Sequence, residues 1–109
     1  MDTELTKELI EELEAEINNG GFDQFFFNSA GDKAADTINA LSSIGAEHTA
    51  NVVRAACAKF PGGMPPKDRD ARQELLEQVS PDSDAFEEED QAFLEYKDDL
   101  SGLVANYAG

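Results

Sequence analysis

The chain has 109 residues, enough for one modest hydrophobic core and too few for two, so a single domain spanning residues 1–109 is expected. Its 24 Asp and Glu against 8 Lys and Arg leave a formal net charge of −16, which excludes binding to nucleic acid or an anionic membrane through bulk electrostatics and makes a basic protein the natural partner. The acidic start Met1-Asp2-Thr3-Glu4-Leu5 lacks signal-peptide character, no apolar run approaches the roughly 18 residues of a membrane span, and the single Cys57 has no internal disulfide partner; a cytoplasmic location is the expectation.

From Thr3 to Asn18, Leu5, Leu9, Leu13 and Ile17 recur every four residues, and Ile10 widens the stripe, the pattern of an amphipathic helix. Glu4, Glu8, Glu12 and Glu16 form a second stripe about 100° away, with Glu11 beside it. Like charges at this spacing cost a few tenths of a kcal/mol per pair, so burial of the leucine face must supply the helix's stability.

Four of the seven phenylalanines fall in the next stretch, Phe22, Phe25, Phe26 and Phe27, and large aromatic bodies of this kind are expected at the centre of the core. Asn19, Gly20 and Gly21 can adopt φ > 0 and stop the first helix. Asp23 is then the expected N-cap of a short new helix, with Phe22 and Phe27 at the spacing of a hydrophobic staple.

A third helix is expected from Gly31 or Asp32, with Ala34, Ala35, Ile38, Leu41 and Ile44 on its apolar face and Gly45 at its C-terminus. A fourth runs from Ala46 to Lys59 with Ala50, Val53, Ala56, Cys57 and Phe60 inward, ended by Pro61 and the Gly62-Gly63-Met64-Pro65-Pro66 loop. A fifth spans Asp68 to Val79, with Ala71, Leu75, Leu76 and Val79 inward. After the turn at Ser80-Pro81-Asp82-Ser83-Asp84, the residues Phe86, Phe93, Tyr96, Leu100, Leu103, Val104 and Tyr107 project onto one face of a long acidic C-terminal helix, with a break expected near Ser101 and Gly102. Period-two alternation is absent throughout. The expectation is an all-α, compact single-domain bundle of five to six helices.

The run Glu14-Ala15-Glu16-Ile17-Asn18-Asn19-Gly20-Gly21-Phe22-Asp23-Gln24-Phe25-Phe26-Phe27-Asn28 resembles the signature of a small all-α bacterial family of DNA-mimic proteins. The resemblance continues through Ile44-Gly45-Ala46-Glu47 and through the loop Phe60–Pro66 with Arg72 following, and it covers most of the chain. It implies carboxylates standing in for phosphates on the DNA-binding surface of a basic protein such as a transcriptional regulator.

No catalytic constellation emerges, and the chain is not expected to be an enzyme. His48 and Cys57 lie nine residues apart on one helix, a spacing that does not set them side by side, and no second histidine completes a ligand set. Asp82 and Asp84 suggest the start of a calcium loop, but Glu87 stands where its glycine is needed. Neither metal nor cofactor is expected.

What remains is the acidity. Asp82, Asp84, Glu87, Glu88, Glu89, Asp90, Glu95, Asp98 and Asp99 face one base, Lys97, and the stretch Asp2–Glu16 adds seven acids against Lys7, so sixteen of the 24 lie in the terminal segments. A solvated helix face explains such runs in most acidic proteins. Duplex DNA carries a charge per roughly 1.7 Å of axis, whereas a stripe at four-residue spacing carries one per roughly 6 Å. Two acidic helices side by side, or a homodimer, come closer to that density. A second reading from a different class is an immunity or antitoxin-like protein that neutralises a specific toxin.

Overall fold

The computed structural model describes residues 2–108. The first helix, α1 (Thr3–Phe27), begins on Asp2, whose side chain accepts from the Glu4 amide, and it buries Leu9, Ile10, Leu13 and Ile17. Leu5, the first member of the predicted stripe, is instead 41% exposed. The helix runs through Asn19 and Gly20 and breaks at Gly21 alone, where φ 73° and ψ −168° lie in a region open essentially to glycine. It resumes at once from Phe22.

Beyond the break, Phe22, Phe25 and Phe26 are fully buried, as their size requires. Phe22 meets Phe26, Phe86 and Phe93, while Phe26 meets Phe60 and Phe86 with centroids 4.8 and 5.2 Å apart. The expected staple does not form, because Phe27 points outward and is 55% exposed. The aromatic cluster joins the rings of its own turn to Phe60, Phe86 and Phe93 from later in the chain.

A 3-10 turn over Ser29–Lys33 precedes α2 (Ala34–Ser43), so the α-helix starts a few residues later than the sequence suggests. Ala34, Ile38, Ala40 and Leu41 are buried. Gly45 at φ 86° closes the helix: its amide donates to Ser42 O and that of Ala46 to Leu41 O, the bond pair of a Schellman motif. α3 (Glu47–Cys57) buries Ala50, Val52, Val53, Ala56 and Cys57, small residues that admit close approach to α2.

α4 (Arg69–Val79) is capped by Asp68, whose carboxylate accepts from the Ala71 amide at 2.9 Å. Its inward side is Leu76, with Leu75 and Val79 half-buried, and one unexpected member, Arg72, with no exposed surface. The guanidinium uses all five of its donors: Nε to Phe26 O, Nη1 to Pro66 O and Lys67 O, Nη2 to Asn28 O and Asp32 Oδ1. One buried cation thus ties the C-terminal end of α1, the 3-10 turn and the proline loop together. Gly31 is small because a Cβ there would sit 2.7 Å from Arg72 Nε and 2.8 Å from Phe25 O.

The single long C-terminal helix is not formed. α5 (Glu87–Leu94) and α6 (Leu100–Ala108) are separated by a turn at residues 95–99, earlier than the Ser101–Gly102 break expected. Tyr96 takes φ 47° in that turn, and its ring packs on Phe93 while its hydroxyl donates to Glu14 Oε1 and accepts from Asn18 Nδ2. Two residues on, Asp98 Oδ2 accepts from both the amide and the hydroxyl of Thr49, in the first turn of α3. The result is all-α, with α1 packed against α2, α4, α5 and α6.

Candidate protein-binding surface

The predicted acids divide by their surroundings. Glu4, Glu8, Glu11, Asp82, Asp84, Glu87, Glu88, Glu95 and Asp99 are exposed, whereas Glu12, Glu16, Glu89, Asp90 and Asp98 are partly covered. The covered ones have intramolecular work: Glu12 accepts from Lys33, Glu16 from Asn28 and Glu89 from Lys59, and Asp98 caps α3. Asp90 is the most tightly engaged. Its Oδ1 accepts from the Phe22 amide at 2.7 Å, and a Cβ on Gly21 would come within 2.4 Å of its Oδ2. The cap expected from Asp23 is therefore supplied by α5, because Asp23 lies inside the first turn of the resumed helix and a residue at Gly21, lacking a side chain, cannot supply it. Burial raises the Asp90 carboxyl above its ordinary range; the Phe22 hydrogen bond opposes this, and the charges of Asp23, Glu89 and Glu87 add to it.

Among the described residues, only three acids, Glu12, Asp32 and Glu89, make ion pairs, with Lys33, with Arg69 and Arg72, and with Lys59 respectively. Few bases are available to neutralise the rest, so the negative charge reaches solvent. α5 packs against α1 at Phe22, which meets both Asp90 and Phe93, and Tyr96 in the turn after α5 reaches Glu14 and Asn18 on α1. The four acids in the first turn of α5 also have a local role, since negative side chains favour a helix N-terminus.

A further set of carboxylates lies outside the terminal segments. Asp70, Glu74 and Glu77, at i, i+4 and i+7 on α4, line a groove of about 830 Å³ together with Asp23, Gln73 and the exposed Phe27. No lysine or arginine is among its lining residues. Their spacing was the available signal: it sets the three carboxylates on one face of α4. Nothing local tells that α4 crosses the end of α1 and makes that face one wall of a groove.

His48 and Cys57, the two remaining chemistry-bearing side chains, do not form a pair. Cys57 is fully buried and its thiol is pushed up to about 12 by that burial, while His48 Nε2 is enclosed without a hydrogen-bond partner among the described residues. Among those residues no group of three His, Cys, Asp or Glu side chains could hold a metal ion, and no helix is long and apolar enough to cross a membrane.

The fold and the surface together define a small, all-α, charge-presenting protein in which a few acids hold the helices together and the others face outward. The chain matches the model of the family described as DMP19-like protein over residues 4–108, and it belongs to that family. Neither a curated protein nor a solved structure matches it.

Proposed function

We propose that this protein is a binding protein rather than an enzyme, and that its outward carboxylates occupy the DNA-binding surface of a basic protein such as a transcriptional regulator. The observation that carries this reading is the lack of internal compensation: among the described residues only Glu12, Asp32 and Glu89 are ion-paired, and α5, with four acids in its first turn, packs against α1. Charge that is unpaired within the fold raises the cost of compaction, and a cationic partner offsets that cost. The DNA-mimic character implied by the family resemblance agrees with this chemistry.

Titrating the protein into a basic DNA-binding protein already bound to labelled duplex tests the proposal. Displacement of the duplex, with an affinity that falls steeply between low and physiological salt, is the expected result. Weak binding independent of salt overturns it. Co-purification of a toxin domain from native lysate, with no competition against duplex, would replace it with the immunity reading.

A further inference from the structure

The groove between the resumed part of α1 and α4 combines two features that neither helix has alone. One wall carries Asp70, Glu74 and Glu77, the other Asp23, and Phe27 opens onto the same space with 55% of its surface exposed. Phe27 is the exception in its motif: Phe22, Phe25 and Phe26, on the same turn and a half of helix, have no exposed surface. Its backbone is held in place, since Gln73 Nε2 donates to Phe27 O at 2.7 Å and Arg72 Nε to Phe26 O at 2.7 Å. An aromatic ring on an anchored stretch of backbone is thus presented to solvent beside four carboxylates, none of which is ion-paired among the described residues.

We propose that this groove is the docking site for an arginine-bearing segment of the partner, with a guanidinium laid over Phe27 and paired with the carboxylates of α4. The inference deepens the proposed function and rests on it. Charge complementarity selects a cationic occupant, and the aromatic ring selects among cations. Arginine is planar, weakly hydrated and able to stack on a ring while its fork donates to carboxylates in its own plane, whereas the lysine ammonium is a compact, strongly hydrated point charge. The volume of about 830 Å³ accommodates several side chains, in keeping with a peptide segment in place of an isolated ion. Leu76 and the aliphatic parts of the lining offer contact to an apolar neighbour of the arginine.

The probe is a synthetic peptide of arginine and leucine and its lysine counterpart, titrated into the full chain. Wild type is expected to prefer the arginine peptide about threefold or more. Replacing Asp70, Glu74 and Glu77 by Asn, Gln and Gln is expected to weaken that peptide about tenfold. The Glu4→Gln, Glu8→Gln, Glu11→Gln protein removes the same charge from the exposed face of α1 and is expected to weaken it less than about threefold. Phe27→Ala and Phe27→Leu, both at a surface position, are expected to abolish the preference for arginine over lysine. Equal loss in the two triple variants, no preference for arginine, or no binding of either peptide overturns the groove assignment. A basic DNA-binding protein still bound at full affinity by the groove variant overturns this inference and leaves the proposed function standing; failure of wild type to bind any such protein removes both.

Discussion

The Asp90 carboxylate accepts the Phe22 amide hydrogen at 2.7 Å although the two residues are 68 positions apart. The bond serves as an N-cap delivered across the fold, since the helix resumes after Gly21 with an orphan amide and no side chain of its own to meet it. Asp90→Ala is expected to lower stability by about 1–2 kcal/mol in urea unfolding, while Asp90→Asn, which keeps an acceptor and removes a repelled charge, stays near wild type.

The pH dependence at this site runs opposite to the usual carboxylate pattern. Burial raises Asp90 above 3.8, so between 3.8 and its folded value the native state binds more protons than the unfolded chain, and its contribution to stability falls as pH rises through that window. Asp32 behaves in reverse: hydrogen bonds from Arg69 and then Arg72 hold it below 3.8, and the stability it contributes is present above 3.8 and is lost as pH falls through its folded value. Unfolding midpoints measured against pH for Asp90→Asn and Asp32→Asn should therefore diverge from wild type with opposite slopes.

Gly21→Ala is expected to cost at least about 2 kcal/mol, from a backbone conformation open essentially to glycine and from collision of the new Cβ with Asp90. Gly45→Ala, whose Cβ would enter open space, should cost only about 1 kcal/mol, from its φ of 86°. Thermal or urea unfolding of the two variants checks that order.

Arg72 is fully buried with five hydrogen bonds, and no other side chain reproduces that fork. Arg72→Lys is expected to lose about 2–4 kcal/mol, because several backbone carbonyls and Asp32 are left without a donor. Restoration of stability by a pairing-neutral change at Asp32 alone would contradict this, since four of the five acceptors are backbone carbonyls.

Cys57 is buried, and its thiol is pushed up to about 12. The thiolate is the reactive species, so the native protein should resist thiol-specific labelling at mildly alkaline pH and label rapidly once denaturant unfolds it. Fast labelling without denaturant would mean that α3 opens locally.

Much of the fold was legible because helical periodicity is a local property. Leu9, Leu13 and Ile17 in α1, Ile38 and Leu41 in α2, and Val53, Ala56 and Cys57 in α3 are buried as their spacing predicts. Gly45 and Asp68 likewise end and start helices as their chemistry requires. The acidity was legible too, as a sum over residues. Phe27, Arg72 and the C-terminal break were not, because each depends on a neighbour supplied from elsewhere in the chain.

The sequence by itself determined an all-α chain with an aromatic centre and a large negative charge, since composition and 3.6-residue periodicity need no knowledge of neighbours. Only the tertiary structure decided which carboxylates face outward and which, like Asp90 and Asp98, cap helices far away in sequence. A carboxylate's role follows from the donor that comes to meet it, and that donor is brought there by packing.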